Sequence, residues 1–419
     1  MSGSWRVLAS LAAPGLRWNL RRRVARDKED PARLREREGY GAERPDGPLI
    51  WLHAASVGES MAILPLMEAL VARDPALTLL VTTGTVTSAR MLPQRLSPAL
   101  QGHVIHRYAP LDVPEWVARF LEGWRPDAAG FVESELWPNT LAAAAGQGIP
   151  LALLNARISD RTARRWGRWA PGFARGLLGH FRLIMPRSAE DAARLLALGA
   201  PAVTAPGDLK FAAPPLPVDK AKLAALRAAT QGRRVLLAAS THPGEEAMIL
   251  AMAERLRAAH PTLLTILAPR HPDRGAGLAE APRRALGALP GAGPVYIADT
   301  MGEMGLLYSL ADLAIIGGSL VPHGGQNPLE AARLGCPILL GPHMENFREA
   351  VAALLARGGA HQVADAAALA ASVSDMLTHP ERAAAMAAAA QDLVSAASDL
   401  PGRMAEALLG LVIRRPAKD

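Results

Sequence analysis

From residue 48 onward the chain alternates short, β-branched apolar runs with longer stretches whose apolar residues recur every three to four positions. This is the pattern of parallel sheets covered by helices on both faces. Residues 48–54, 77–82, 128–132 and 150–154 predict strands, and 60–73, 114–122 and 140–146 predict the helices among them. A predicted helix over 191–198 ends at Gly199, and the prolines of 206–217 then argue against regular structure. A second series starts at Arg233, with strands expected at 235–239, 263–268, 295–297, 313–316 and 337–340. Residues 364–413, rich in Ala and Leu, predict helices that close this second domain. No fixed-period repeat is present, which excludes solenoids and propellers. The expected fold class is therefore α/β: two doubly wound domains, 41–208 and 219–419, joined by a linker over 209–218 and preceded by a distinct segment over 1–40. Such sheets bind ligands beyond the carboxyl ends of their strands, here in the cleft where two domains would face each other.

The first forty residues differ from the body. Between Met1 and Arg37 lie ten basic and four acidic residues, which supplies +6 of the chain's net +7. The remainder is nearly neutral, so an extended nucleic-acid groove is not expected, and nucleic acid is not an expected partner. The apolar run from Trp5 to Leu16 is too short to cross a bilayer, and Pro14-Gly15 is expected to interrupt a helix there. Arg21-Arg22-Arg23 argues against a cleaved signal peptide. An apolar stretch followed by an Arg cluster suits a segment lying on an anionic membrane surface, and equally a solvated helix docked on the body. Cysteine occurs once among 419 residues, at Cys336, which excludes an internal disulfide and a Cys-based zinc site and fits a reducing compartment.

Candidate chemistry clusters at the predicted strand ends. Ser56-Val57-Gly58-Glu59 runs from a strand into a helix, so Glu59 falls in the first turn, placed either to accept a proton or to cap backbone amides. Glu133-Ser134-Glu135-Leu136-Trp137-Pro138-Asn139 puts two carboxylates at the next strand end, one of them expected to point into the cleft; the alternative is a solvated turn with Trp137 as core. Asn155-Ala156-Arg157 offers donors for anions or sugar hydroxyls, or simply a polar loop. In the second half, Ser240-Thr241-His242 and Pro269-Arg270-His271-Pro272 precede helix starts, where phosphate binds and Arg270 supplies a bidentate fork. No metal-ligand spacing of known type accompanies the histidines. From Gly317 to Glu330, glycines let backbone amides close on a ligand, Asn327 can cap, Pro328 suits a helix start and Glu330 can accept from ribose hydroxyls. The glycine signatures of dinucleotide oxidoreductases and P-loop NTPases are absent.

In order along the chain these segments, with Leu209-Lys210-Phe211 and Asp299-Thr300-Met301-Gly302-Glu303, resemble the signature motifs of the 3-deoxy-D-manno-octulosonic acid (Kdo) transferases. The resemblance runs from about Arg33 to the last helices. It implies a GT-B fold and inverting transfer of Kdo from a CMP-Kdo donor to a lipid A precursor (lipid IVA) at the cytoplasmic face of the inner membrane of Gram-negative bacteria, without cofactor or metal. By the same resemblance Glu59 is the general base, and Glu133 and Lys210 stabilise the transition state. Pro269, Arg270, Gly302, Glu303, Met304, Asn327, Pro328, Leu329 and Glu330 hold CMP. Two departures stand out: Gln326 occupies a position where the family often has His, and the N-terminal apolar segment is shorter and more broken than the family's usual anchor. Another GT-B nucleotide-sugar enzyme, such as an epimerase, and a non-catalytic lipid A-binding protein are the alternatives.

Overall fold

The computed structural model describes residues 3–412. Met1 and Ser2 of the expected N-terminal segment, and residues 413–419 of the expected second domain, lie outside the described residues. The chain forms two units: one runs to Ala213 and takes the chain back from Asp399, and the other is Pro214–Ser398.

The first unit is built on six strands, β1 (Leu49–His53), β2 (Thr78–Thr83), β3 (Val104–Tyr108), β4 (Ala128–Val132), β5 (Leu151–Ala156) and β6 (Phe181–Pro186). They pair in parallel in the order β3-β2-β1-β4-β5-β6. The second unit repeats the plan with β7 (Arg234–Thr241), β8 (Leu263–Pro269), β9 (Val295–Ile297), β10 (Leu313–Ile316), β11 (Ile338–Leu340) and β12 (His361–Gln362), ordered β12-β11-β10-β7-β8-β9. In each sheet the chain starts in the middle, winds outward one way and then returns to wind the other. The reversal falls at β1/β4 in the first unit and at β7/β10 in the second, the place where such sheets leave a crevice beyond their carboxyl ends.

Strands β1, β4 and β5 are buried along their whole length, as central parallel strands covered on both faces must be. Trp51, Phe131, Trp116, Phe120 and Trp124 fill the core of the first unit, with Trp51 packed at 4.8 Å from Phe120 and 5.1 Å from Phe131. Three strands that the apolar pattern did not mark, β3, β6 and β12, are all at sheet edges. An edge strand pairs on one side only and carries polar residues, here His106, Arg107, Arg182 and His361, so it lacks the continuous apolar run of a central one.

Other expectations are corrected. The helix expected over 60–73 is two, Val57–Ala62 and Leu64–Arg73, because Pro65 has no N–H with which to continue the first. The proline-rich stretch contains a short 3-10 turn, Leu209–Phe211, made possible because Asp208 accepts from the Lys210 N–H at 3.0 Å. The last helix, Leu400–Leu409, does not close the second domain but joins the first unit. Its Leu400, Met404 and Leu408, spaced four apart, form a fully buried stripe, and it packs on the helix Leu64–Arg73.

At the other end, Gly3–Val24 is one helix that passes through Pro14, although Pro14-Gly15 is expected to break it. Proline forfeits the bond to the carbonyl four residues back, at a cost of about 3 kcal/mol. Its second half is held independently of that bond: Leu20 is buried, Arg17 grips Glu38 through two nitrogens at 2.9 and 3.0 Å, and Arg23 donates to Glu29 at 3.0 Å. Glu29 is buried and also receives Arg37 at 3.0 and 3.1 Å. The same guanidinium donates to the carbonyls of Gly84, at 2.7 Å, and Ala109, at 3.3 Å, tying the N-terminal segment to the ends of β2 and β3.

Replacing Arg37 by Met removes this tie and leaves Glu29 buried with Arg23 alone. The expected cost is about 3 kcal/mol, the scale of breaking a buried ion pair, read as a lowered urea midpoint for the first unit. A midpoint unchanged relative to the unsubstituted chain would show that the tie contributes little.

Candidate functional site

In the first unit the candidate residues follow β1, β4 and β5 at the point where the sheet reverses. Ser56, with extended backbone, caps the helix Val57–Ala62 by accepting from the Glu59 N–H, and Glu59 reaches back to accept from Ala55 N–H at 2.8 Å and from Ser56 Oγ at 2.7 Å. The arrangement is a variant of the capping box, its reciprocal bond made to Ala55, one residue before the cap, so the local geometry is that of the cap reading of Glu59. Its titration, however, is not that of an ordinary cap. Burial drives the carboxyl above its usual range, the two hydrogen bonds only partly offset that, and the charges of Glu135 and Glu133 push it further the same way.

Glu133 follows the last residue of β4 with left-handed backbone, φ 56°. That twist ends strand alternation, so Glu133 and Glu135 do not share an environment. Glu133 faces Lys210 Nζ at 3.1 Å and Arg157 Nη1 at 3.9 Å. Glu135 accepts from the Trp137 indole at 2.7 Å and pairs with His53 Nε2 at 3.2 Å. Burial alone would raise Glu135, but the bond and charge of His53, with the indole bond, outweigh it and hold the carboxyl below its ordinary value. Glu135 is therefore a neighbour that stays ionised, and Glu133 is the carboxylate paired with a lysine.

Lys210 lies 77 positions beyond Glu133, and Asn155 accounts for their meeting. Asn155 is fully buried at the end of β5, also left-handed at φ 50°. Its Nδ2 donates to Asp208 at 3.1 Å and its Oδ1 accepts from the Leu209 N–H at 2.9 Å. Of the two readings of this segment, ligand donors or a polar loop, Asn155 follows neither: its side chain fixes the turn that carries Lys210. Asn, which tolerates left-handed backbone and offers both a donor and an acceptor, suits that role.

In the second unit the sheet reverses where β7 and β10 end, and Ser240, at φ 56°, marks a register shift in β7. A Cβ at Gly317 would lie 2.2 Å from the Ser240 carbonyl oxygen, so only glycine lets the two strand ends approach this closely. The loop after β10 was expected to turn its amides to a ligand. Instead Glu245, fully buried, accepts from the amides of His242, Gly318, Ser319 and Leu320 at 2.7–3.1 Å. Sequence reasoning missed this organising role of Glu245; its one signal is a glutamate in the first turn of the helix Glu245–Leu256.

Around that loop stand His242, His271 and His323, with His242 and His323 rings 3.7 Å apart. The Gln326 amide donates to His242 Nε2 at 2.9 Å. Burial lowers the His242 pKa, and His323, His271, Arg270 and Arg274 add to the effect. Among the described residues no three His, Cys, Asp or Glu side chains are grouped to hold a metal ion.

Pro269 closes β8 in a buried position and Arg270 is exposed just past it, its N–H bonded to the Thr241 carbonyl. Gly302 is exposed with φ +79°, and Met304 begins the helix Met304–Leu310. Glu303 is engaged on all sides: Arg284 donates to both its oxygens at 2.9 and 3.0 Å, Lys222 at 2.9 Å and Thr300 at 2.6 Å. The Arg284 bonds hold its carboxyl down at about 2 although burial opposes them. Asn327 accepts from the Leu329 N–H at 3.1 Å and donates to Glu330 at 3.4 Å, next to Pro328 at the start of the five-residue helix Leu329–Arg333. Pro328 and Leu329 are buried, and Glu330 is half-buried.

A family model described as 3-deoxy-D-manno-octulosonic-acid transferase (kdotransferase) matches residues 32–213. The chain is 38% identical over 393 residues to the 3-deoxy-D-manno-octulosonic acid transferase of Bordetella pertussis, covering 90% of each. It is 36% identical over 370 residues to a probable mitochondrial 3-deoxy-D-manno-octulosonic acid transferase of Arabidopsis thaliana, covering 84% of this chain and 81% of that one. Among solved structures, UDP-GlcNAc 2-epimerase from Neisseria meningitidis superposes with a TM-score of 0.55 at 16% identity, over 87% of this chain and all of that one. MurG of Acinetobacter baumannii gives 0.51 at 12% identity, over 86% of this chain and 99% of that one. At such identities the structures speak for the fold alone, which is GT-B. Identity above one third along nine-tenths of both chains goes further, and by it the chain belongs to the 3-deoxy-D-manno-octulosonic acid transferase family.

Proposed function

We propose that this Kdo transferase moves Kdo from CMP-Kdo to a lipid A precursor, lipid IVA, with inversion, at the cytoplasmic face of the inner membrane. The observation that carries the chemistry is the contrast among carboxylates. Glu135 and Glu303 are held below their ordinary range by bonded cations or donors, whereas Glu59 is pushed above it. A general base needs a pKa closer to neutrality than an exposed carboxylate has. Glu59 accepts the proton of the acceptor hydroxyl as its oxygen bonds to the anomeric carbon of Kdo. The bond from that carbon to the phosphate oxygen breaks, and CMP leaves with the electron pair. Glu133 and Lys210, paired at 3.1 Å, stabilise charge in the transition state.

On the donor side, Pro269, Arg270, Gly302, Glu303, Met304, Asn327, Pro328, Leu329 and Glu330 form the CMP site. Arg270 carries most of the phosphate stabilisation, because a five-residue helix contributes the amides of only one turn. With its carboxylate engaged by Arg284, Lys222 and Thr300, Glu303 serves that site by shaping the turn at Gly302.

Membrane attachment rests on the N-terminal helix. Among the described residues no helix is long and apolar enough to cross a membrane. Val7, Leu11 and Trp18 nevertheless form one stripe of Gly3–Val24 and are 58, 73 and 63% exposed, with Arg21 and Arg22 near its end. An apolar stripe beside basic residues suits a helix lying in an anionic interface.

Glu59→Gln should retain CMP binding and lose transfer to the tetraacylated precursor by about 10²-fold. In the wild type the rate should fall as pH drops through the raised Glu59 value, at higher pH than an ordinary carboxylate would show, and Gln should remove that limb. Near-normal turnover in the variant would leave Glu59 as a cap. Arg270→Ala should weaken CMP binding by about 2 kcal/mol in calorimetry, with acceptor binding little changed. Replacing Val7, Leu11 and Trp18 together by Ser should reduce co-sedimentation with anionic liposomes while sparing activity on detergent-dispersed acceptor. Full sedimentation would place the contact on another surface.

A further inference from the structure

A cavity of about 270 Å³ opens in the first unit beside the candidate carboxylates, and nothing above assigns it a ligand. One wall is the inner face of the N-terminal helix, where Leu16, Leu20 and Arg23 recur at i, i+4 and i+7. The opposite wall is Trp51, Phe131 and Leu111, so the lining is mostly apolar.

Apart from the Asn19 amide at its rim, the polar side chains in the wall are engaged with one another or with neighbours. Arg37 and Arg23 are bonded to Glu29, His53 to Thr82 and Glu135, and Thr140 Oγ1 to Asp112 at 2.7 Å. A polar occupant would find these donors and acceptors in use and would lose its own hydration, an unfavourable exchange. An apolar occupant gives up no hydrogen bonds by entering. The volume lies near the lower end of small-molecule pockets, enough for one slender chain and too little for a sugar with its substituents as well.

Two connections limit what that chain is attached to. Ala55, in the cavity wall, donates its N–H to Glu59, and His53 and Trp137, also in the wall, both bond Glu135. The chamber's wall thus includes direct hydrogen-bond partners of Glu59 and Glu135, which places one end of the chamber next to those carboxylates. The helix that forms the wall turns its other face, Val7, Leu11 and Trp18, outward, so the chamber lies directly beneath the stripe assigned to the lipid surface. Chain and polar end together describe an amphiphile drawn from a bilayer.

We infer that this cavity binds one acyl chain of the lipid acceptor, and so sets the acceptor hydroxyl in register with Glu59 and selects acylated over deacylated acceptors. This rests on the acceptor reading given above. The N-terminal helix then has two roles on two faces, lying on the membrane and closing a chain-binding chamber.

The test has a binding arm and an activity arm, both on the full chain. In a Trp5→Phe, Trp18→Phe background, a monomeric dodecanoyl chain carrying bromine should quench tryptophan emission saturably, because Trp51 and Trp137 line the cavity. Ala109→Leu, which fills the cavity from the end of β3, should weaken that quenching at least fivefold. Leu11→Ala, on the outer face of the same helix, should leave it intact. In detergent, the ratio of kcat/KM for tetraacylated over deacylated acceptor should exceed tenfold in the wild type and collapse to within about twofold in Ala109→Leu. Absence of saturable quenching, equal quenching in Ala109→Leu, or an unchanged acceptor ratio in that variant would each overturn the inference. Failure to transfer Kdo to any acceptor would overturn the transferase reading instead, and the quenching arm would still decide whether the cavity takes the chain.

Discussion

Both units depend on how a parallel strand is allowed to stop. A strand that continues straight past its last ladder bond carries its side chains alternately to the two faces and delivers none of them to the end of the sheet. Here Glu133, Asn155 and Ser240, all non-glycine residues at strand ends, take left-handed backbone. Each such residue costs on the order of 1 kcal/mol or more and persists only where its surroundings over-determine it. The compensation is visible at each. Glu133 is met by Lys210, Asn155 makes two bonds to the following turn, and Ser240 is packed against a glycine that no larger residue can replace.

Buried carboxylates do two kinds of work in this molecule. Glu245 and Glu29 act as organisers: one gathers four backbone amides of two loops, the other gathers two arginines of the N-terminal segment. Their charge is consumed in holding chain segments together. Glu59 has the geometry of an organiser, a variant of the capping box, but its two neutral donors do not offset its burial beside two other carboxylates. The same residue type is thereby a structural anchor in one setting and, in the function proposed above, a proton acceptor in another, and the number and charge of its donors make the difference.

The N-terminal helix shows a comparable division between its faces. Leu16 and Leu20 look inward and Leu11 and Trp18 outward, so the helix is apolar on two sides. A helix docked on a soluble body would expose a polar outer face. The inner face is covered by the protein interior, and the outer stripe is the basis of the membrane attachment proposed above.

Local sequence pattern determined the central strands, the alternation of two α/β series and the strand-end location of the chemistry, because buried parallel strands are continuous apolar runs and the residues after them are short polar or glycine-rich turns. It also marked Glu59 as the first-turn glutamate of its helix. Tertiary structure decided the rest. The edge strands β3, β6 and β12 exist because a neighbour offers its ladder, which no local pattern records. The helix through Pro14 survives on contacts to Glu29 and Glu38, which lie beyond its own end. The last helix went to the first unit because its buried stripe matches the helix Leu64–Arg73. Glu245 and Asn155 were legible only as polar residues near strand ends, and their work of holding a glycine loop and presenting Lys210 to Glu133 spans 73 to 75 and 53 to 54 positions. Periodicity is a property of neighbours in sequence, whereas a hydrogen bond across such a separation forms only once the sheets have brought the segments together.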